Sequence, residues 1–485
     1  MLLKNLTKNM PNLYIPEHIQ ELDIKGITSN SLQAKEGFVF VALQGEKTDG
    51  NKYIPQAIKN GAVVIISKNQ QLTTNNIYTT NPRLALAKMA ANFYVKQPEH
   101  IVAITGTDGK TSTADFFRQL IALGGKKSAS MGTLGVIEGS GKNLYEGTLT
   151  TPDAVELHKI LAELAENNIQ NIAIEASSHG LSQYRLEGVS LEAAAFTNIA
   201  RDHLDYHHTE QAYFEAKDRL FSEVLGVGKT AVLNADDARF LELKSICAMH
   251  NNRVIDFGKN AEQFQILEIN PHGDGQKVLL KLFGKEYNIE VPLVGAFQVM
   301  NILAALGLIV GTGGNVEGYL SYIPQLKGVS GRLEKVARLA NGASIFIDYA
   351  HTPMALENIL KTLRPHTQNK LITVFGCGGD RDAGKRPLMG VIASKFSDFA
   401  IVTDDNPRGE EPAKIREAVL AGGTNLKEIG DRKEAIYCAV QQLQKGDVLV
   451  IAGKGHEKMQ IIGDKHLPFD DAEVARCVVM ELGLT

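Results

Sequence analysis

Residues 101–113, IVAITGTDGKTST, decide how the rest of the chain is read. Ile101 to Ile104 form a short apolar run of strand character, and from Ser112 to Leu123 the residues Phe116, Phe117, Leu120 and Leu123 recur at helical spacing. The glycine-bearing turn between them therefore joins the carboxyl end of a strand to the amino end of a helix. Backbone N–H groups and the positive end of the helix dipole gather at such a junction, and both suit phosphate oxygens. Gly106 and Gly109 let a backbone approach closely, with Thr107 and Asp108 between them. Lys110 can bridge terminal phosphates and the Thr111 hydroxyl can ligate Mg²⁺, with Ser112 next along the turn. Only two residues separate the glycines, so this is a shortened phosphate loop. Gly-Lys-Thr also occurs in ordinary loops, and the surrounding chain has to decide between the two.

At 485 residues the chain has room for about three domains, each with its own core. Apolar residues at 44% and charged residues at 22% place it among ordinary globular proteins. The net charge of -4 gives no support for nucleic-acid binding, which would leave a clustered basic surface. No stretch has the length of a spanning helix, and MLLKNLTKNMPNLY at the start lacks a signal-peptide core, so a cytoplasmic protein working away from the membrane is expected. Cys247, Cys377, Cys438 and Cys477 are scattered without metal-ligand spacing and read as reduced thiols.

Along the chain, residues 1–95 hold two apolar strand candidates, Gly37 to Leu43 and Ala62 to Ser67, with a turn around Gly45 to Gly50, and form a small α/β unit. Ser29, Asn30 and Ser31 there are either turn formers or ligand contacts. Residues 96–328 start with the phosphate loop and alternate strands with helices, as a parallel sheet covered on both faces does. Asn171 to Gly180 reads as a strand ending in Glu175. A carboxylate at that edge is where a Mg²⁺-binding acid belongs; the alternative is a strand-end glutamate in solvent. From Phe196 to Phe221 come several His, Asp and Asn residues and then a helix. On that helix Lys217 falls within the apolar stripe of Tyr213, Phe214, Leu220 and Phe221. Its amine either snorkels to water or faces a site where an uncharged amine reacts. His203, His207 and His208 are equally open between capping and chemistry. A hairpin-like turn at Asn270 to Gln276 precedes a buried helix within residues 294–310.

From 329 to 485 strands and helices alternate again. Strand ends run into Asp348 to His351, Gly376 to Arg381, Asp404 to Arg408 and Gly453 to Glu457, and four polar tips on one sheet edge point to a binding site.

Taken together, GTDGKTS, TTPDA (Thr150 to Ala154), EASSHGLSQYR (Glu175 to Arg185), TNIARDHLDYH, AYFEAKDRLF, GRLE (Gly331 to Glu334), DYAHTP, GCGGDRDAGKRP, DDNPR and GKGHE stand in the order of the Mur ligases. The chain resembles that family of ATP-dependent amide-forming enzymes of peptidoglycan synthesis over nearly its whole length, and within it the branch that adds the third residue of the stem peptide. The resemblance implies an α/β fold of three domains. A small N-terminal α/β domain (1–95) takes the uridine nucleotide sugar, a central P-loop-type parallel-sheet domain (96–328) takes ATP, and a C-terminal Rossmann-like domain (329–485) takes the amino acid. It further implies that ATP phosphorylates the D-glutamate side chain of UDP-MurNAc-L-Ala-D-Glu, that an amine attacks the acyl phosphate, and that the enzyme works as a monomer.

Residue roles follow from the same resemblance. Gly106 to Ser112, Asn301 and Asp348 hold ATP, and Lys110 and Arg332 neutralise the transferring phosphoryl group. Thr111 and Glu175 hold one Mg²⁺, while His203 and a Lys217 carbamylated by CO₂ serve a second. Ser31, Thr150, Thr151, Ser177, Gln183 and Arg185 grip the muropeptide. Arg381, Asp405, Asn406, Pro407, Arg408, Gly453 and Glu457 form the amino-acid site, in which Glu457 faces an ammonium and Arg408 pairs with the distal carboxylate of meso-diaminopimelate as a planar fork. Lysine-adding relatives lack that arginine. Three positions depart from the family pattern: Asn30-Ser31-Leu32 stands for Asp-Ser-Arg, Asp108 for Asn, and Gln298 for Asn. The rival readings are an L-lysine-adding ligase, a folylpolyglutamate synthetase sharing the central domain, and a nucleotide-gated binding module.

Overall fold

The computed structural model describes residues 1–10, 13–45, 48–69, 75–147, 149–273 and 275–484. The expected turns at Gly45 to Gly50 and Asn270 to Gln276 contain residues 46–47 and 274, which lie outside the described residues. By compactness the chain divides into two units, one of residues 1–265 and 300–319, the other of residues 266–299 and 320–485.

In the first unit, β1 (Gly26–Thr28), β2 (Phe38–Val41), β3 (Ala62–Ser67) and β4 (Asn76–Tyr78) form an all-parallel sheet in sequence order. The larger sheet takes β5 (His100–Thr105), β6 (Ser128–Gly132), β7 (Gly135–Glu138), β8 (Asn143–Tyr145), β9 (Asn171–Glu175), β10 (Leu191–Phe196), β11 (Thr230–Asn234) and β12 (Arg253–Gly258), in the spatial order β12-β11-β10-β5-β9-β6-β7-β8. The strands from β12 to β6 are parallel, and β7 and β8 close that edge antiparallel. Each parallel strand inside this sheet is apolar on both faces, because helices cover both sides; Ile101, Ile172, Ile174, Ala194, Phe196 and Leu233 are all buried in one core. β5 sits between β9 and β10; its own connection runs past β9 to β6, while that of β9 runs the opposite way, past β5, to β10. The crevice at the carboxyl end of β5 is the place such a sheet offers to ligands.

The boundary between units falls within β13 (Phe264–His272), whose first residues pair parallel with the end of β12. In the second unit β14 (Gly275–Leu282) and β15 (Lys285–Val291) make an antiparallel ladder. A six-stranded sheet follows, with β16 (Glu334–Arg338), β17 (Ser344–Asp348), β18 (Leu371–Phe375), β19 (Phe399–Val402), β20 (Leu426–Glu428) and β21 (Val448–Ala452) in the order β16-β17-β21-β18-β19-β20. All its pairs are parallel except β16 with β17. A separate hairpin joins β22 (Met459–Ile462) and β23 (Lys465–Pro468). The four polar tips expected from the sequence follow β17, β18, β19 and β21, so all leave the same sheet edge.

Element boundaries move slightly from the sequence reading. The helix expected from Ser112 starts at Lys110, because Gly109 at its N-cap takes a left-handed φ of 83° and turns the chain into the helix two residues early. β17 stops at Asp348, whose side chain turns back to the main chain. The helix carrying Lys217 (Glu210–Arg219) runs on into a π-helical turn, Leu220–Val224, for which the residue pattern holds no signal.

Candidate active site

The phosphate loop is built by β5, the turn 106–109 and the helix Lys110–Leu123. Gly106 has a φ of 147°, and a Cβ there would run into the Thr197 hydroxyl, so the turn depends on glycine. A Cβ on Gly109 would meet Asn301 Oδ1, which places the carboxamide of the 95%-buried Asn301 against the loop. The main chain is pinned from behind: Asp108 N–H donates to Asn198 Oδ1 (3.0 Å), Thr107 N–H to the Asn198 carbonyl (2.9 Å), and the Thr197 hydroxyl to the Asp108 carbonyl (2.6 Å). Asp108 is exposed. Lys110 Nζ donates to the carbonyls of Gly106 and Thr107, both at 2.8 Å, so the ammonium is curled over its own loop.

Glu175 ends β9 next to this loop and is almost wholly buried. That settles the alternative of a solvated strand-end glutamate against it. The Thr111 hydroxyl donates to Glu175 Oε2 (2.9 Å) and Thr133 N–H to Oε1 (2.9 Å). Burial pushes the Glu175 carboxyl up, and the Lys110 ammonium with the Thr133 and Thr111 donors pull it back. A hydroxyl and a carboxylate side by side are hard oxygen donors of the kind Mg²⁺ takes alongside phosphate oxygens, so these residues fit that ion. Among the described residues no group of three His, Cys, Asp or Glu is arranged as a complete metal cage.

Lys217 lies on the other flank of the loop. It is 1% exposed, and its Nζ donates to the Gly106 carbonyl (2.8 Å) while sitting 4.4 Å from the centre of the Tyr213 ring. Burial, reinforced by the neighbouring Lys110 charge, pushes the amine down to about 6, toward its uncharged form. The snorkelling alternative is thereby excluded by its position. His203, in a left-handed conformation (φ 51°), stacks edge-on against His179 and Tyr213 at ring distances of 4.9 and 6.1 Å. His207 is buried, its ring pushed down to about 4 by burial and by the nearby His179, His203 and Lys217. Its Nε2 has no hydrogen-bond partner among the described residues. His208 stays exposed.

The expected muropeptide residues of this unit form one chain of hydrogen bonds. Thr150 Oγ1 is 3.1 Å from Thr133 Oγ1, and Thr151 Oγ1 donates to the Glu175 carbonyl (2.7 Å) and lies 3.0 Å from Ser177 Oγ. Arg185 donates to the Thr151 carbonyl (2.6 Å) and to Gln183 Oε1 (2.7 Å). Arg83, which the residue pattern did not single out, also reaches Gln183 Oε1 (3.3 Å) and the Gln44 carbonyl (2.9 Å). A cavity of about 300 Å³ opens there, lined among others by Gln44, Asp49, Asn51, Lys68, Asn81 and Arg83. Ser31 is buried and donates to Gln56 (2.9 Å), whereas Leu32 is exposed.

In the second unit, Asp348 accepts from Leu333 N–H and Ala350 N–H, each at 2.8 Å, tying the GRLE turn to the end of β17. Burial pushes its carboxyl up against those two donors and Arg332. The Arg332 guanidinium lies over the Tyr349 ring, 5.1 Å from its centre. Asp405, Asn406, Pro407 and Gly453 are buried, and Arg381 is exposed. Arg408 has a φ of 50°; its main chain is held by the β22 strand through N–H to the Ile461 carbonyl (3.1 Å), and its Nη1 donates to the carbonyls of Gly379 (3.0 Å) and Asn406 (3.3 Å). Glu457 accepts from Asn406 Nδ2 (3.0 Å). Two residues outside the sequence reading underlie these tips. Arg432 is completely buried with Asp471, donating to both of its oxygens at 2.7 Å and to the Ala452 carbonyl (3.1 Å). Lys454 is equally buried. Neither Arg432 nor Asp471 belongs to a recognisable motif; Lys454 stands inside GKGHE, between its two glycines.

Residues 23–105 match the model described as Mur ligase family, catalytic domain; residues 104–309 match Mur ligase middle domain; residues 331–455 match Mur ligase, glutamate ligase domain. A protein of Brucella melitensis biotype 1 named UDP-N-acetylmuramoyl-L-alanyl-D-glutamate--2,6-diaminopimelate ligase is 46% identical over 476 residues, covering 97% of each chain. A ligase of the same name from Zymomonas mobilis is 44% identical over 467 residues, 95% of this chain and 96% of that one. A solved structure of a ligase so named superposes with a TM-score of 0.78 at 33% identity over 100% of both chains. The fold of three α/β domains expected from the motifs is thus the fold of these relatives, and the chain belongs to the Mur ligase family.

Proposed function

We propose that this protein joins meso-2,6-diaminopimelate to UDP-MurNAc-L-Ala-D-Glu at the expense of ATP, as its relatives' names describe for 2,6-diaminopimelate. The observation that carries the ligase chemistry is the phosphate loop flanked by the buried Glu175–Thr111 pair and by the buried Lys217 amine, which donates to the Gly106 carbonyl. In this reading residues 1–95 take the uridine nucleotide sugar, residues 96–328 take ATP and residues 329–485 take the amino acid.

The loop's N–H groups and Lys110 receive the ATP phosphates, for which Lys110 has to leave the Gly106 and Thr107 carbonyls. Arg332 supplies a further cation to the transferring phosphoryl group, and Asn301 and Asp348 serve the nucleotide. The terminal phosphoryl passes to the D-glutamate side-chain carboxylate and ADP leaves. The amine nitrogen then attacks the acyl carbon, the bond from that carbon to the phosphate oxygen breaks, and an amide, inorganic phosphate and a proton result. Thr111 and Glu175 would hold one Mg²⁺, and His203 with a carbamylated Lys217 a second, which would neutralise the phosphate charge. The burial of Lys217, which favours the uncharged amine, supports that modification, since only a free lone pair adds to CO₂. Thr150, Thr151, Ser177, Gln183 and Arg185, with Ser31 further up the chain, position the muropeptide.

Arg408 supports the choice of diaminopimelate over L-lysine, since the far end of lysine has no carboxylate for a guanidinium fork to pair with. Phosphate release from ATP with Mg²⁺ and UDP-MurNAc-L-Ala-D-Glu should respond to meso-diaminopimelate and not to L-lysine. Arg408→Ala should raise the KM for diaminopimelate by more than about tenfold, with the KM for ATP within twofold. An unchanged KM removes Arg408 from the site. Phosphate release indifferent to any amino acid would favour a nucleotide-gated binding module.

A further inference from the structure

Lys454 is an unusual residue to find completely enclosed, since its ammonium is a strongly hydrated point charge. Three oxygens surround it. Its Nζ donates to the Met459 carbonyl (2.6 Å) and to Asn406 Oδ1 (3.4 Å), and it lies 3.6 Å from Glu457 Oε2. The consequence falls on Asn406. With Oδ1 facing the ammonium and also accepting from Ile461 N–H (2.9 Å), the amide has one possible orientation, and its Nδ2 is directed at Glu457 Oε2 (3.0 Å). Lys454 and Asn406 therefore both engage the same oxygen of Glu457. The carboxylate is fixed in its rotation, and the acceptor left to an incoming cation is Oε1.

We propose that Lys454 is a positioning residue for the amine of diaminopimelate that is not joined. It acts by locking the Asn406–Glu457 pair, and this inference rests on the reading of the second unit as the amino-acid site. The amine that attacks an acyl phosphate must carry a free lone pair, which a carboxylate partner opposes by favouring the ammonium. Glu457 suits the other amine, which stays charged throughout and is only recognised. A buried lysine that donates to a main-chain carbonyl and to Asn406, and pairs its charge with Glu457 at 3.6 Å, gives the site a rigid acceptor without itself touching the substrate. Removing the ammonium leaves Asn406 Oδ1 held by the Ile461 N–H alone and takes the charge from beside Glu457 Oε2, so the pair loosens and the loss is one of orientation.

The test compares two amino acids that differ only at that end: meso-2,6-diaminopimelate and 2-aminopimelate, which keeps the chain and both carboxylates and lacks the second amine. For Lys454→Met the KM for diaminopimelate should rise about tenfold or more. The KM for 2-aminopimelate, for ATP and for UDP-MurNAc-L-Ala-D-Glu should stay within twofold of the unsubstituted enzyme. Lys454→Arg, which keeps charge and donors, should recover most of the loss. A KM that rises equally for both amino acids, or for neither, overturns the proposal. If neither variant yields folded protein, Lys454 is a stability residue and the proposal is equally overturned. Failure of the unsubstituted enzyme to use diaminopimelate at all would instead fall on the proposed function.

Discussion

His158 shows how a single buried side chain writes itself into the behaviour of the first unit. It sits at 1% exposure in the helix Ala154–Glu166, its Nε2 3.0 Å from the Glu187 carbonyl, and burial pushes its pKa down to about 4 against that hydrogen bond. In the unfolded chain an ordinary imidazole takes up its proton near pH 6.5. Between the two values the unfolded state binds a proton that the folded state refuses, so stability is intact above pH 6.5 and falls as pH drops toward 4. His158→Gln keeps a donor for Glu187 and does not titrate. In urea unfolding of the first unit, the loss of stability between pH 7 and pH 5 should shrink by about 2 kcal/mol in this variant. Lys217 and Glu175 show the same physics with a different use: enclosed without a full charge partner, each is pushed toward its uncharged form beside the loop where charge chemistry is proposed.

At the scale of elements, the phosphate loop depends on what packs behind it. β10 delivers Thr197 and Asn198 to the back of the turn, and their hydrogen bonds to Thr107 and Asp108 hold a backbone that only glycine can follow at position 106. Gly106→Ala should therefore destabilise the first unit by about 2 kcal/mol or more and reduce ATP-dependent phosphate release at least tenfold. Gly318→Ala in the helix Val316–Leu320, where nothing lies within 4 Å of the missing Cβ, should be neutral or slightly stabilising in the same denaturation experiment. The β22–β23 hairpin plays the corresponding part in the second unit. By clasping the main chain of Arg408 on both sides, through Ile461 and Gly463, it holds a left-handed arginine that would not stay there unaided.

At the scale of the molecule, separate buried cores among the described residues lie on both faces of the N-terminal sheet, in the central sheet and on both faces of the C-terminal sheet. Chains of this length do not melt as one cooperative block. Calorimetry of the unliganded protein should give a measured enthalpy well above the van't Hoff value, and a scan that fits a single two-state transition would contradict the division into two compact units. No helix among the described residues is long and apolar enough to cross a membrane.

What the residue string determined by itself was everything local in cause. Apolar runs of four to six residues ending in glycine or polar tips gave β5, β9, β17, β18 and β21 to within a residue or two, because a parallel strand covered on both faces has no other way to be written. Gly-Lys-Thr at a strand-to-helix junction and Glu175 at a strand end were legible because adjacent residues set their places, whereas the expectation for Arg408 in DDNPR came from the family resemblance. Tertiary structure alone decided the rest. Whether Lys217 meets water or the Gly106 carbonyl depends on burial created by segments 111 residues apart. The pairing of Arg432 with Asp471 spans 39 residues, and the convergence of Lys454, Asn406 and Ile461 on one carboxamide spans 55. Such contacts have no periodicity to betray them: a buried charge is tolerated only where distant backbone and side-chain oxygens arrive together, and that meeting exists only once the sheet has set their places.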